Sequence, residues 1–335
     1  DTVGQRVTGL VNAVGRRIAA HDLQEWVELL SEGLDETDRL AIRTHHPRWI
    51  VAAYEKVLQE NEVAQALEAN NLAPRPTLVM RPGLAEVEEL APAIPTVYSP
   101  FGAVLDGAPG DLAAVKEGRA GVQDEGSQLV CLALTRVEAP SGPWLDLCAG
   151  PGGKSALLAG LARQRGEHLV ANEVAAHRAK LVEQALAVYP PGTASVICSD
   201  GRDPEPVRRH APFARIMVDA PCSGLGALRR RPEARWRRTP ADLAELVSLQ
   251  RALLETAIGL LVPGGVVAYV TCSPHADETA AIVEAALKSN PHLELLDAAA
   301  LLPEVPGAAR GGYVQLWPHR HGTDAMFLAL LRGTS

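Results

Sequence analysis

The sequence predicts an α/β fold. A mostly parallel sheet with helices on both faces is preceded by a small mixed α/β module and a helical N-terminal segment. Three observations predict it. From Trp144 onward, short apolar runs alternate with helical patterns, which is how parallel βαβ units are written. The stretch Pro143-Trp144-Leu145-Asp146-Leu147-Cys148-Ala149-Gly150-Pro151-Gly152-Gly153-Lys154-Ser155 passes from a buried strand through a Gly/Pro turn into a helix. Ahead of it, Pro74, Pro76, Pro82, Pro92, Pro95, Pro100 and Pro109 punctuate short apolar runs.

The elements follow in order. Up to about Leu58 the chain reads as helices: Val7, Leu10, Val11, Val14 and Ile18 recur at helical spacing, and Trp26, Leu29 and Leu30 continue the apolar content. This piece is too short for a core of its own and reads as the end of a larger helical unit or a packing arm. His45-His46 before Pro47 reads as a helix-start turn, because no further metal ligands cluster nearby. Thr77–Arg81 and Gly102–Leu105 read as strands, Glu86–Leu90 as a short helix, and Gln123–Leu134 as a helix leading into the central strand. Strands are then expected over Trp144–Leu147, His168–Glu173, Ala194–Ser199, Ala214–Asp219 and Val266–Thr271. Helices are expected over Gly153–Arg163, Ala176–Val188, Pro240–Leu261 and Asp277–Ser289. Tyr313–Trp317 and Met326–Leu331 read as antiparallel edge strands. The domain reading is a helical segment over 1–30, the small module over 31–122 and the main domain over 123–333.

Composition narrows the class. The 335 residues suit two domains or three small ones, and 47% apolar residues can bury a core. Aromatics are only 4%, so that core is Ala, Leu and Val. No run approaches the roughly 18 apolar residues of a membrane span, and no signal peptide is visible. The sequence starts at Asp1 rather than Met and reads as a trimmed chain. A net charge of −8 argues against a generic polyanion binder, so any nucleic-acid contact needs a local basic patch. The five cysteines are odd in number and include no Cys-x-x-Cys pair, so neither a disulfide framework nor a zinc site is indicated. Free thiols suit a reducing cytoplasm. The expectation is a cytoplasmic protein, monomeric, with no membrane and no metal partner.

The glycine turn is a ligand site by its chemistry. Its glycines let backbone approach a ligand, and the helix behind it offers N–H groups. It fails as a P-loop, because Cys148 stands where the first glycine belongs. It fails as a dinucleotide fingerprint, because Ser155 stands at the third glycine. What remains is S-adenosylmethionine, or a plain tight turn in an α/β enzyme.

Ligands of open α/β sheets bind at the carboxyl ends of the strands. Those ends carry Cys148 and its turn, Glu173, Asp200, Asp219-Ala220-Pro221-Cys222 and Thr271-Cys272-Ser273. An acid there is often a helix cap and a cysteine is often packing, but five such ends converge on one edge. Glu173 can accept from ribose hydroxyls, Asp200 from an adenine amine, and the Gly150–Gly153 amides can hold a methionine end. Two cysteines beside such a cofactor suit cytosine. Its carbon 5 is a poor nucleophile until a thiolate adds to carbon 6, one hard step becoming two easier ones. Asp219 can bind the cytosine N3/N4 edge. These arguments do not rank Cys222 against Cys272. After Cys222, Arg229-Arg230-Arg231-Pro232 leads into Arg235-Trp236-Arg237-Arg238, a basic, aromatic stretch suited to RNA phosphates and a stacked base. Its bland alternative is a solvated basic loop.

These residues resemble the RNA cytosine-5 methyltransferases of the Sun/Fmu/Nop2 type, within the Rossmann-like class I AdoMet methyltransferases. The motifs are Cys148-Ala-Gly-Pro-Gly-Gly-Lys154, Asp219-Ala-Pro-Cys-Ser223 and Thr271-Cys-Ser273, with Val122-Gln-Asp124, Ser127-Gln128, Arg230-Arg-Pro232 and Trp236 around them. The resemblance implies that Cys272 attacks carbon 6, that Cys222 assists breakdown of the adduct, and that Asp219 contacts cofactor and base. It implies AdoMet binding by Cys148, Ala149, Gly150, Pro151, Gly152, Gly153, Lys154, Glu173, Asp200 and Asp219, with Arg178 contributing. RNA contacts would come from Arg229, Arg230, Arg231, Arg235 and Trp236. Within the family the chain looks like the enzymes of bacterial 16S ribosomal RNA, which carry a NusB-like helical domain, a small module and the catalytic domain. Leu10-Val11-Asn12-Ala13-Val14 resembles the last helix of that NusB-like domain, most of which is missing here. Three departures stand out: Glu173 for a usual Asp, Gly150 for a usual Ala, and Gly322-Thr-Asp-Ala-Met-Phe327 for Asp-Gly-Phe-Phe. Two rivals are a non-catalytic ribosome-assembly factor that kept the fold, and a cytosine-5 DNA methyltransferase using Cys222 with no need of Cys272.

Overall fold

The computed structural model describes residues 7–334; the first six residues of the expected helical segment lie outside them. The chain divides into two compact units, Asp1–Glu68 and Ala69–Ser335.

The first unit is helical, with α1 (Thr8–Ile18), α2 (Leu23–Ser31), α3 (Glu36–Thr44), α4 (Arg48–Glu55) and most of α5 (Glu60–Ala69). Its helix starts are fixed by side chains. Asp22 and Glu25 form a capping box at α2, and Asp35 accepts from the Asp38 amide at α3. Arg48 ties α4 to α3 through Asp35 at 2.7 Å and Asp38 at 2.6 Å. His45 closes α3 in the left-handed conformation at φ 58°, and Pro47 caps α4, so the His-His pair is a turn between helices. The periodic residues Leu10, Val11, Val14 and Ile18 lie on α1 and are exposed.

The second unit opens with four antiparallel strands, β1 (Thr77–Met80), β2 (Ile94–Pro95), β3 (Gly102–Val104) and β4 (Ala120–Val122), in the order β2-β3-β1-β4. Leu78, Met80, Leu90, Ala103 and Leu105 form its small core beside α6 (Ala113–Lys116). Then come α7 (Glu125–Arg136), β5 (Trp144–Asp146), α8 (Gly153–Gln164), β6 (Leu169–Asn172), α9 (Ala176–Leu186) and β7 (Ala194–Ile197). They are followed by α10 (Glu205–Arg208), β8 (Phe213–Asp219), α11 (Ala234–Arg237), α12 (Pro240–Ile258), β9 (Leu261–Thr271) and α13 (Ala280–Ser289). The chain finishes with β10 (Leu293–Leu296), β11 (Ala309–Arg310), β12 (Tyr313–Gln315), α14 (Pro318–His321) and β13 (Phe327–Gly333).

The large sheet runs β11-β12-β13-β9-β8-β5-β6-β7, with β10 also pairing β13. The five strands from β7 to β9 are parallel. Two apolar clusters cover its faces: one holds Leu132, Leu157 and Met217, the other Ile216, Leu254 and Tyr269. This is the Rossmann-like α/β arrangement expected from the alternating pattern.

Three differences from the expected elements have physical causes. Met326–Leu331 was expected at an edge, yet β13 is interior, flanked by β9 on one side and by β10 and β12 on the other. Its run Phe-Leu-Ala-Leu-Leu is apolar on both faces, the composition of a strand covered on both sides. β9 starts at Leu261, where a helix end was expected, because Gly259 stops α12 and Gly264-Gly265 bend the chain into the sheet. A Cβ at Gly265 would lie 3.0 Å from the Phe213 carbonyl, so backbone approaches there as only glycine allows. Finally, α13 starts at Ala280, since residues 276–278 form a tight 3-10 turn instead.

Candidate active site

The parallel strands deliver their carboxyl ends to one cleft of about 760 Å³, inside the usual range for small-molecule sites. Of the expected residues, Cys148–Pro151, Gly153, Lys154, Glu173, Arg178, Asp200, Asp219, Cys222 and Cys272 line it, with Arg230 and Arg231 at its wall. Gly152 lies beneath, at φ 107°, where a Cβ would meet the Ala185 side chain at 2.8 Å. It starts α8 without any side-chain cap.

The turn is braced from below. Ser155 Oγ donates to Asp146 at 2.6 Å, and burial pushes the Asp146 carboxyl up to about 7 against that bond. Asn172, fully buried, donates to the Leu147 and Ser199 carbonyls at 3.1 Å each, tying three strand ends together. Sequence reasoning missed Asn172; its signal was one amide in an otherwise apolar strand. The Glu173 carboxylate accepts the Gly150 and Ala175 amides at 2.9 Å each, with Arg178 at 3.7 Å. Asp200 is gripped by Arg202, whose hydrogen bond holds the carboxyl down to about 2.

Lys154 Nζ donates to Asp219 at 2.8 Å across the cleft floor. Burial works against the ammonium, but the Asp219 charge outweighs it and the Lys154 pKa is raised. Beyond that pair, Cys222 Sγ and Cys272 Sγ stand 3.4 Å apart. Their electrostatics are unequal. The hydrogen bond with Cys222 lowers the Cys272 pKa; burial and the Asp219 and Asp324 charges oppose this, and the Lys154 charge assists it. Cys222 is raised well above its ordinary value by the same bond, by burial, and by the charges of Cys272 and Glu278. At 3.4 Å either thiol can stabilise the other's thiolate by a hydrogen bond, and the opposite directions of the two shifts favour Cys272 as the thiolate. Cys148 is raised too, by burial first.

The six arginines after Cys222 divide into two groups. Arg229 is held by Asp124 at 3.1 Å, Asp324 at 3.4 Å and the Gly322 carbonyl at 2.8 Å. Arg230 also pairs with Asp324, which is wholly buried. Arg235 is only 4% exposed and donates to Asn71 at 2.7 Å. The RNA-contact expectation is therefore corrected for Arg229 and Arg235: internal partners hold both, and neither guanidinium faces solvent as a phosphate ligand must. Arg231 and Arg237 are exposed and, with Arg238, line the cleft; Trp236 is 67% exposed. Among the described residues no cluster of His, Cys, Asp and Glu is arranged to hold a metal ion, and no helix is long and apolar enough to cross a membrane.

Against known proteins, the model of a family described as 16S rRNA methyltransferase RsmB/F matches residues 131–332. A protein of Mycobacterium tuberculosis described as a methyltransferase is 50% identical over 97% of this chain and 72% of its own length. Ribosomal RNA small subunit methyltransferase B of Vibrio cholerae is 34% identical over 99% of this chain and 74% of its own. Among solved structures, a methyltransferase homologue from Pyrococcus horikoshii superposes with a TM-score of 0.69 at 22% identity, covering 88% of this chain and 97% of that one. NSun6 from the same organism superposes with a TM-score of 0.71 at 16% identity, covering 86% and 98%. These two likenesses establish the fold.

Proposed function

The chain belongs to the 16S rRNA methyltransferase RsmB/F family and is an RNA methyltransferase; from that premise we propose that it methylates carbon 5 of a cytosine in small-subunit ribosomal RNA, with S-adenosylmethionine as donor. The observation that carries the reading is the 3.4 Å contact of Cys222 with Cys272 inside the cleft of the glycine turn.

The residues present fit that donor. The turn is so close to Glu173 that a Cβ at Gly150 would lie 2.2 Å from the carboxylate. The start of α8 offers backbone donors with no side-chain cap, and carboxylates stand at the next two strand ends. Bound there, S-adenosylmethionine supplies an electrophilic methyl group. Glu173 would hold the ribose, Asp200 the adenine, and the turn the methionine end.

The protein's own part follows from the two sulfurs. The Cys272 thiolate adds to carbon 6, the Sγ–C6 bond forms, and the ring's electrons move towards carbon 5. Asp219, held by Lys154, accepts from the N4 amine and fixes the ring. Once carbon 5 carries the methyl group, solvent in the open cleft takes its proton, the C–H electrons form the C5–C6 double bond, the C6–Sγ bond breaks with its electrons on sulfur, and the aromatic ring returns. Cys222, still protonated, donates to the departing Cys272 sulfur and eases its exit as thiolate. A nucleophile at Cys222, as in the DNA-enzyme rival, is disfavoured because the hydrogen bond with Cys272, burial, and the charges of Cys272 and Glu278 all raise that thiol's pKa.

The test is incubation with methyl-labelled S-adenosylmethionine and unmodified small-subunit ribosomal RNA, with the product mapped by bisulfite sequencing. Label at one cytosine supports the reading. Label at a site that bisulfite does not report, or none despite cofactor binding, sinks it.

Arg231, Arg237, Arg238 and Trp236 are the RNA contacts of this proposal. Replacing Arg231 and Arg237 with serine is expected to weaken RNA binding and flatten its dependence on salt, by about 0.7 in the log–log slope for each phosphate left without its arginine. Arg229→Ala is expected instead to lower stability, by about 3 kcal/mol, since it takes from the buried Asp124 its guanidinium partner and leaves Asp324 to Arg230 alone. Titrations in increasing salt and thermal melts separate the two classes. An Arg229→Ala variant with unchanged melting but a flattened slope would return Arg229 to the RNA side.

A further inference from the structure

Glu278 ends the tight turn between β9 and α13, and its side chain is wholly buried. Among the described residues no lysine or arginine pairs with it. Four donors hold the carboxylate instead. Oε1 accepts the Ser223 amide at 2.8 Å and Gln250 Nε2 at 3.1 Å. Oε2 accepts Ser273 Oγ at 2.7 Å and the Ser223 hydroxyl. The two serine hydroxyls also touch each other at 3.2 Å, and Gln250 reaches on to the Pro221 carbonyl at 2.9 Å. From behind, the Tyr269 hydroxyl donates to the Glu278 carbonyl at 2.8 Å.

Ser223 follows Cys222, and Ser273 follows Cys272. One carboxylate therefore clasps the backbone or side chain next to each sulfur. The two cysteines sit on loops at the ends of different strands, β8 and β9, and strand pairing ends before either sulfur. A buried charge without a counter-ion is stable only when its donors are held in place. The same requirement makes the clasp rigid, because moving either loop removes donors from a buried carboxylate.

We propose that Glu278 is the positioning residue of the two-cysteine site, holding the Cys222 and Cys272 loops in register through Ser223, Ser273 and Gln250. Glu278 touches no substrate; it acts through the serines. Its charge has a second effect, on which thiol keeps its proton. The groups facing Cys222 are Cys272, Glu278 and Tyr269, while Asp219, Lys154 and Asp324 act on Cys272. The clasp itself is independent of the proposed methylation chemistry, and only the turnover readout rests on that reading.

The experiment compares Glu278→Gln and Glu278→Asp in the full chain. Glutamine keeps the length, and the serine hydroxyls can turn to accept from its new amide, but the charge is gone. Aspartate keeps the charge on an arm too short for both loops. Each protein is checked by thermal melting and S-adenosylmethionine binding. Alkylation of Cys222 and Cys272 by iodoacetamide is followed against pH by peptide mapping, and turnover is measured on RNA. Glu278→Gln is expected to move Cys222 alkylation to lower pH. Glu278→Asp is expected to reduce turnover at least tenfold with the RNA KM within about threefold. Wild-type alkylation profiles together with wild-type turnover in both variants would overturn the proposal. If neither variant folds, Ser223→Ala and Ser273→Ala decide it. Lowered turnover at near-native melting, without additivity in the double variant, supports the clasp, and independent small effects overturn it. If the native chain methylates no RNA at all, the alkylation profiles still judge the clasp while the methylation reading falls.

Discussion

Cys272→Ala is expected to abolish methyl transfer, whereas Cys222→Ala is expected to trap RNA on the protein. Deleting a covalent nucleophile lowers turnover by factors on the order of 10⁴ or more. Cys272 is that nucleophile in the proposed mechanism, since its pKa is lowered first by the hydrogen bond from Cys222. Cys222→Ala leaves the attacking sulfur but removes the donor 3.4 Å away. Two consequences follow from that one deletion. The Cys272 pKa rises, so the thiolate fraction at neutral pH falls and adduct formation shifts to alkaline pH. The departing sulfur also loses its hydrogen-bond donor, so the adduct outlives each turnover. A denaturing gel with labelled RNA should show a slow-migrating band for Cys222→Ala above neutral pH, and none for Cys272→Ala. Turnover surviving in Cys272→Ala, or a trapped band with that variant, would reverse the two roles.

The second large effect is expected at Gly150. Its backbone does not need a left-handed conformation, so what alanine costs there comes from contact with two side chains alone. The added methyl would lie 2.2 Å from Glu173 Oε2 and 2.8 Å from Arg178 Nε. Glu173 must then swing away and give up the Gly150 amide bond of 2.9 Å. Loss of one or two hydrogen bonds to a charged acceptor costs about 1.5–3 kcal/mol each. Gly150→Ala should therefore weaken S-adenosylmethionine by roughly 10- to 100-fold, measured by calorimetry. The remedy lies in the same contact. Aspartate at 173 is one methylene shorter and vacates the space, so Gly150→Ala with Glu173→Asp should bind better than Gly150→Ala alone. The two departures noted in the sequence, a longer acid and a missing methyl, are on this account one compensated pair. Equal binding by Gly150→Ala and the native chain, or no recovery in the double variant, would break the link.

The strand ends were readable because each is a local event: an apolar run, then a turn or an acid. That logic put the Cys148–Lys154 turn, Glu173, Asp200, Asp219, Cys222 and Cys272 around one cleft. What it could not supply depends on residues far apart in the chain. Ranking the cysteines needs their contact and the charges of Lys154 and Glu278. Separating the buried arginines from the exposed ones needs Asp124 and Asp324, which meet Arg229 from opposite ends of the domain. Arg235 is claimed by Asn71, a residue that no local pattern connects to it. Glu278 lay where a helix start was expected, and an acid there reads as an ordinary cap. The interior place of β13 was legible in principle, since its apolar run has no polar face.

That interior strand ties β9, the strand that leads to Cys272, to the last residues of the chain. The cofactor side is assembled from β5, β6 and β7, neighbours in sequence joined by single helices, so its contacts are local. The nucleophile side is not. Cys272 leaves β9 beside Thr271, and Thr271 is paired with Phe327, reached only after α13, β10, β11, β12 and α14 have been laid down. Non-local pairing of this kind is the slow part of building a sheet. The flank of Cys272 therefore rests on pairings far more distant in sequence than those that frame the glycine turn.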